Sequence, residues 1–378
     1  MTIKEFAYSA QLHLQSSTGH SVKRAHIYEL LAASFGFNSY AALSVDAVFT
    51  RRRSDKKRAS LDNSVIRQRC ADLGYQPHTA DLASSALLAF LVERQIVAVR
   101  ISELVDELRS ESHYQDDYLE EFEDEQTDGD QTDMIVRGWE GSGDDGLALI
   151  TLEGLELAAS KGNALAHYAL ALIHAPDDED DEPDAGNPYW YSQGQQGRVL
   201  TGVEKEWAEA YEAHLTKAEK YLRHLREAGR LGNQQALLDL ADRFDDPSFF
   251  EQSRRDVGAD PAAVAAIAER MGRAADAKHW LTVAAESGNT DAMLQLIEEH
   301  DQDDLLRCWT WVYLSQLVGT DLSKDAHYAI NEDGSDYDDD VGGAVYAAGR
   351  DGVDLAPLND ELDAVARSAA KQFFRRIG

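Results

Sequence analysis

The chain has 378 residues, of which 43% are hydrophobic, and a formal net charge of −33. This hydrophobic fraction excludes a chain that is disordered throughout, and the scarcity of proline beside abundant Ala, Leu and Glu favours helices over sheets. Cys70 and Cys308 match no metal spacing, Lys4 and Glu5 interrupt any signal peptide, and no apolar run reaches the about 18 residues of a membrane span, so a cytoplasmic protein outside membranes is expected.

Residues 1–50 are predicted to form a small helical module. One helix is expected over Glu5–Ser16, a second over His20–Phe35, and a third from Asn38 or Ser39 through Leu43. The run from His26 to Leu43 resembles a small helical module at the start of some bacterial proteins, including glyoxalase-related ones. The resemblance implies a bacterial source and carries no catalytic residue onto this chain.

Residues 51–59 read as a basic linker that begins with Arg51, Arg52 and Arg53. Residues 1–100 hold 13 Lys/Arg and 8 Asp/Glu, whereas the rest of the chain holds 23 basic and 61 acidic residues. The linker is interpreted as a solvated loop, with a contact to nucleic acid or to the chain's own acidic body as alternatives. The linker contains no aromatic residues, and residues 36–38 resemble a helix-turn-helix turn without a clear recognition helix, so the nucleic-acid alternative is weaker.

Residues 60–112 are predicted to hold two further helices, either as a second small domain or as a first repeat. An acidic linker over 113–144 follows, and further acidic tracts lie at 177–184 and 333–340. The stretch Asp124–Ile135 begins like a calcium-binding EF-hand loop. Its twelfth position is Ile135, where a bidentate Glu is needed. The tracts are therefore interpreted as solvated loops.

An internal repeat marks residues 145–325, where three segments share the pattern Leu-x-x-Ala-small-x-x-Gly-Asn-x-x-Ala-x-x-x-Leu. The Gly suits the left-handed end of a helix, the Asn can cap the next helix, and Ala and Leu four apart form an apolar stripe. The pattern thus predicts an all-α fold of helical hairpins that stack into a solenoid. The repeat positions are Gly162, Asn163, Ala166, Leu170, Gly232, Asn233, Ala236, Leu240, Gly288, Asn289, Ala292 and Leu296.

The stretch from Ala277 to Asn289, with its aromatic residue, double Ala and Gly in order, most clearly resembles the Sel-one-like repeat family, a relative of tetratricopeptide repeats. The resemblance covers roughly residues 145–325 and implies a TPR-like α-solenoid that acts as an adaptor, with no enzymatic activity. The intervals between the Gly-Asn pairs are 70 and 56 residues, longer than the about 34–47 of helical-pair repeats.

The long intervals predict an insertion at 175–203 and an extra Ala-rich helix at 259–275. A degenerate fourth unit follows, with Trp309 and Trp311 in its core and Thr320-Asp321 in place of Gly-Asn. Residues 326–378 are predicted to be an acidic loop and a C-terminal capping helix.

Three aromatic residues in the insertion, Tyr189, Trp190 and Tyr191, are interpreted as part of a polar, Gly-rich loop. They either dock back onto the solenoid or bind a partner, since aromatics are enriched at interface hot spots. His167 and His174 lie two helical turns apart but have no third ligand nearby in the sequence. The sequence contains no phosphate-binding loop or nucleophile elbow, so no catalytic, cofactor or metal residue is predicted.

The favoured function is a non-catalytic scaffold that holds a basic or amphipathic protein partner through the solenoid and its insertions. One alternative is a nucleic-acid-linked regulator that uses the basic N-terminal head. Others are an acidic mimic of DNA that sequesters a DNA-binding protein, and an enzyme. The sequence leaves the oligomeric state open.

Overall fold

A computed structural model of the protein describes residues 1–51, 62–120, 145–176, 186–252, 258–331, 335, 337 and 345–377. Arg52, Arg53 and most of the three acidic tracts, with the stretch Asp124–Ile135, lie outside these residues. The chain forms two compact units, Met1–Leu237 and Leu238–Gly378.

Helices dominate both units, as the sequence predicts. Unit 1 contains helices α1 (Ile3–Thr18), α2 (Arg24–Ser34), α3 (Tyr40–Asp46), α4 (Asn63–Asp72), α5 (Pro77–Glu93), α6 (Ile101–Glu120), α7 (Asp145–Ser160), α8 (Ala164–Ile173), α9 (Asn187–Gln195) and α10 (Val203–Arg230), with strands β1 (Ala47–Arg51) and β2 (Ile96–Arg100). Helix α11 (Gln234–Phe244) includes the boundary between the units. Unit 2 contains α12 (Ser248–Glu251), α13 (Pro261–Arg270), α14 (Ala274–Glu286), α15 (Thr290–Gln295), a π-helical turn (Leu296–His300), α16 (Leu305–Val318), β3 (Ala326–Ile330), β4 (Tyr346–Arg350) and α17 (Asp360–Ile377).

One hydrophobic core joins the N-terminal module to the segment after the basic linker. Phe6 of α1 lies at its centre, with its ring 5.5 Å from Phe49 and 5.7 Å from Phe90. The predicted third helix is α3, and the side chain of Ser39 caps it by accepting a hydrogen bond from the Ala42 amide. Residues from α1 to β2, together with Ile150 of α7, therefore exclude water from a common interior.

Two short strands that the sequence analysis did not predict close this core. Strands β1 and β2 pair antiparallel, with Ala47 opposite Arg100 and Arg51 opposite Ile96. Both segments are rich in β-branched residues, and Phe49 and Ile96 are buried, which explains why they are extended rather than helical.

Side chains of α7 and of the turn that follows it bond groups of the N-terminal module. Thr151 donates a hydrogen bond to the carbonyl of Phe49 at 2.9 Å, and the Asn163 amide donates to the carbonyl of Val45 at 2.6 Å. Lys161 also donates to the hydroxyl of Ser44. The α7–α8 hairpin is therefore part of the same packed unit as β1.

The Gly-Asn pairs have the two roles that the pattern predicts. The glycines are left-handed, with φ of 84° at Gly162, 94° at Gly232 and 104° at Gly288. The amide of the following Asn bonds the carbonyl five residues back, at 3.2, 3.0 and 3.1 Å for Asn163, Asn233 and Asn289. The Asn side chains then accept hydrogen bonds of 2.9–3.0 Å from the amides of Ala166, Ala236 and Ala292. Leu170, Leu240 and Leu296 are buried.

The predicted extra helix over 259–275 is shorter than expected, because another left-handed glycine turn ends it. Helix α13 stops at Arg270, Gly272 is left-handed with φ of 70°, and the Arg273 amide bonds the Ala268 carbonyl at 2.8 Å. Arg273 stands where the pattern has Asn, so the Gly-Asn pattern does not predict this turn.

The degenerate fourth unit differs from a helical hairpin. Helix α16 ends at Val318 with Gly319 as its cap, and the chain continues into the antiparallel pair β3–β4 before α17 begins. Trp311 is buried and stacks on Phe373 of α17 with ring centroids 5.6 Å apart, whereas Trp309 is only partly buried and donates its indole N–H to the Ala356 carbonyl. The partner of α16 is thus the C-terminal helix.

Candidate functional site

The aromatic segment of the insertion is a helix, which corrects the prediction of a polar loop. Helix α9 begins at Asn187, with Pro188 in its first turn, where the missing N–H costs nothing and the fixed φ suits the helix. Proline in this position favours the start of a helix, and the helix places the aromatic residues that follow against a neighbouring surface.

That surface is the N-terminal half of α10. Tyr191 lies 5.3 Å from Tyr211 between ring centroids, and a methyl group at Gly186 would lie 3.6 Å from the ring of Trp207. The guanidinium of Arg198 lies 4.6 Å above the ring of Trp190 and also pairs with Glu204 at 3.0 Å. In the part that the structure describes, the predicted insertion over 175–203 therefore contains a helix, α9, that packs on the N-terminal half of α10.

A row of apolar side chains on this pair is exposed except at Tyr211, which is partly buried. Val203, Trp207, Tyr211 and Leu215 recur every four residues along α10, so they lie on one face of the helix. Val203 is 54% exposed, Trp207 39% and Leu215 38%, and Tyr189 of α9 is 54% exposed. The packing of α9 on α10 thus buries Tyr191 and Trp190 in part and leaves Tyr189 exposed.

Acidic residues flank the row. Residues 203–215 contain Glu204, Glu206, Glu209 and Glu212 against a single Lys205, which pairs with Glu209 at 3.2 Å. We call the exposed row and these carboxylates the α10 surface. Because the apolar centre of the α10 surface has an acidic border, a cationic amphipathic ligand would complement it in polarity and in charge.

The other partner-binding candidates were the arginines of the basic linker. Arg51 is the last residue of β1, and Arg52 and Arg53 lie outside the described residues. The structure therefore brings Tyr189, Trp190 and Tyr191 together with α10 but gives no geometry for the arginine side chains.

His167 and His174 have a histidine neighbour that sequence spacing could not reveal. His224 of α10 lies with its Nδ1 3.0 Å from Nδ1 of His167, and its ring stacks on His174 with centroids 6.4 Å apart. Arg223 bonds Nε2 of His224, so the hydrogen-bond network assigns His224 as the donor to His167. His167 makes a backbone hydrogen bond with Ala159 in turn.

Electrostatics keeps this histidine cluster neutral. Burial, followed by the charge of Arg223, lowers the pKa of His224 to about 4. Burial also lowers the pKa of His167 and of His174, near which Lys220 and Lys217 lie. Since the ring nitrogens of His167 and His224 bond each other and cations surround the group, the cluster is a poor cation ligand.

The two cysteines are not activated nucleophiles. Both are buried, and burial raises the pKa of Cys70 and of Cys308 to about 11, with Asp301 and Asp304 contributing at Cys308. A thiol needs a lowered pKa to react readily at neutral pH.

Comparisons with known proteins give no relative from which a role can be transferred. No family model matches the sequence, and neither the curated proteins nor the solved structures give a significant match. In the part of the chain that the structure describes, no helix has the length and apolar character needed to cross a bilayer.

Proposed function

We propose that this protein is a non-catalytic scaffold that binds a basic, amphipathic helix of a partner protein on the α10 surface. The single observation that carries the proposal is the row of exposed Val203, Trp207 and Leu215 with partly buried Tyr211 inside an acidic border. The Sel-one-like repeat pattern, a stacked solenoid of hairpins and the adaptor role that this resemblance implies belong to the same proposal.

Two physical features support a helical partner. A row with four-residue spacing matches the apolar stripe of an amphipathic helix laid along it. Trp and Tyr contribute most to binding where their rings are covered by a partner and are enriched at such positions. The exposed rings of Trp207 and Tyr189 can supply this contribution, because the structure leaves both accessible.

Charge supports a basic partner. The chain carries a net charge of −33, and Glu206 and Glu212 are exposed beside the row. Opposite charges at the border of an interface accelerate association and make it sensitive to salt. Exposed pairs contribute little energy individually, so we expect the aromatic residues to set the affinity and the glutamates to set its salt dependence.

The test uses a defined ligand, a labelled peptide of about 18 Lys and Leu residues arranged as a cationic amphipathic helix. We expect the peptide to bind the full chain, measured as a fluorescence anisotropy that rises to saturation. Binding should be weak at about 500 mM salt, because charges are then screened over about 3–5 Å. Tyr189→Ala and Trp207→Ala are each expected to weaken binding about tenfold.

Matched variants separate this surface from general acidity. Val92→Ala removes another exposed apolar side chain, and Glu93→Gln with Glu103→Gln removes two exposed carboxylates on α5 and α6. These should leave binding unchanged, whereas Glu206→Gln with Glu212→Gln should reduce the salt dependence. Equal effects of both sets, or no effect of Trp207→Ala and Tyr189→Ala, would mean that the α10 surface is not the docking site.

A further inference from the structure

Three side chains of unit 2 bring metal-ligating atoms together. Glu269 lies near the C-terminal end of α13, and Glu299 and His300 end the π-helical turn. One oxygen of each carboxylate and one ring nitrogen of His300 all lie within 4.8 Å of one another. Residues 30 positions apart in the chain thus converge, and π-helical turns are frequent at functional sites.

The ring of His300 has an unsatisfied nitrogen in this cluster. Its side chain is only 13% exposed, and Nε2 is buried without a hydrogen-bond partner among the described residues. The nearest carboxylate oxygen, Oε1 of Glu269, lies 3.7 Å away, which is too long for a hydrogen bond. A buried polar atom without a partner costs free energy, so a ligand between these atoms would remove that cost.

Neighbouring cations do not neutralise these carboxylates. Lys278 donates to Asp301 at 2.6 Å and to the His300 carbonyl at 2.8 Å, and Arg307 pairs with Asp301 at 3.2 Å. Arg270, beside Glu269 in the chain, pairs with Asp242 at 3.0 Å. The two glutamates therefore leave negative charge facing the imidazole.

A further side chain orients the first carboxylate. The amide of Gln295 donates a hydrogen bond to Oε1 of Glu269 at 2.7 Å. Hydrogen bonds to ligating carboxylates are typical of metal centres, where they fix the direction of the oxygen lone pairs. Lys278 donates separately to the backbone carbonyl of His300, at the end of the π-helical turn.

We propose that Glu269, Glu299 and His300 bind a zinc ion. Zinc takes imidazole nitrogen and carboxylate oxygen at about 2.0–2.2 Å, which places ligand atoms about 3.4 Å apart in a tetrahedral site. The 3.7 Å between Nε2 of His300 and Oε1 of Glu269 needs only a small closure to reach that value. Magnesium and calcium prefer oxygen alone, so the histidine favours a transition metal.

Three protein ligands leave a fourth position for water. The ion would tie the end of α13 to the π-helical turn, and so bind together two segments of unit 2. The histidine cluster of unit 1 offers a contrast, since its facing nitrogens already bond each other and Lys217, Lys220 and Arg223 lie around it.

The experiment measures Zn²⁺ binding to the full chain by competition with a chromophoric chelator. We expect one Zn²⁺ per chain at micromolar or tighter affinity, and a loss of at least tenfold in His300→Gln and in Glu269→Gln. Glu298→Gln, which alters the exposed carboxylate beside Glu299, should bind as the unmodified protein does.

A second measurement keeps the result independent of folding. Zn²⁺ should raise the thermal unfolding midpoint of the protein and of Glu298→Gln by mass action, and should not raise it in His300→Gln. Circular dichroism without metal verifies that each variant is folded. Equal Zn²⁺ affinity in all variants would overturn the proposal, because the ion would then be adsorbed to the acidic surface in general. The absence of stoichiometric binding to the unmodified protein would overturn it as well.

Discussion

His224 shows how a single buried side chain couples stability to pH. In the folded protein its ring gives one hydrogen to His167 and accepts one from Arg223, a pattern that requires neutral imidazoles. Burial and the charge of Arg223 lower its pKa from 6.5 to about 4. Protonation of the ring therefore disrupts a network that is fully bonded when neutral.

We expect the free energy of unfolding to fall as the pH is lowered from about 6.5 to about 4. Over this range the unfolded chain takes up a proton at His224 that the folded chain refuses, so stability rises with pH. The expected loss is about 1–3 kcal/mol. Urea unfolding at several pH values measures this loss, and the free energy is taken from the unfolding transition of unit 1.

Other groups also titrate in this range, so the test compares variants. His224→Gln should show a smaller fall in stability than the unmodified protein between the same pH values. His78→Gln removes an exposed histidine of α5 and should leave the pH dependence as it is. The same slope in all three proteins would contradict the assignment.

At the scale of elements, the left-handed glycines end helices that would otherwise run on. Gly272 lies in open space with φ of 70°, so an added methyl group meets no neighbour and the backbone conformation alone decides its effect. For L-residues this conformation costs about 1–2 kcal/mol. The turn between α13 and α14 therefore depends on glycine for conformational reasons rather than for space.

Gly272→Ala is expected to destabilise unit 2 by about 1–2 kcal/mol, measured as a lower urea midpoint. Gly258→Ala is the matched control, since Gly258 also lies in open space but without a positive φ. An equal or larger loss in Gly258→Ala would show that the left-handed turn is not the cause.

Elements fixed by local rules were predictable from the sequence. The Gly-Asn turns were found because conformation and capping depend on a few adjacent residues. Helix α9 and strands β1 and β2 were not predicted, because they depend on partners outside their own segments: α9 packs on Tyr211 of the next helix, and β1 pairs with β2 across the intervening α4 and α5. His224 and Glu269 were missed as site members for the same reason, since their neighbours come from other helices.

At the scale of the whole molecule, the composition predicts repulsion among the many acidic side chains. A net charge of −33 on 378 residues disfavours the compact state. Exposed pairs such as Arg67–Asp81 at 3.0 Å oppose this, but each is worth at most about 1 kcal/mol. Repulsion should therefore outweigh the pairs in the response to salt.

We expect sodium chloride to raise the thermal unfolding midpoint at pH 7.5 by about 2–5 °C between low and moderate ionic strength. The sequence pI is about 4.6, and near that pH the same salt increment should have little effect, because the net charge is then small. Circular dichroism scans give both values. A midpoint that falls with salt at pH 7.5 would mean that attractive pairs dominate.

The bonds between the α7–α8 hairpin and the N-terminal module have a consequence for how this chain can be divided. The backbone carbonyls of Phe49 and Val45 accept hydrogen bonds from Thr151 and Asn163, which belong to the α7–α8 hairpin. A fragment that starts at residue 145 would lose those acceptors and uncover Ile150, and a fragment that stops before it would leave one edge of β1 open to other chains. The N-terminal module and the α7–α8 hairpin should therefore be kept together whenever the chain is shortened or transplanted, even though the sequence predicts a separate head before a repeat array.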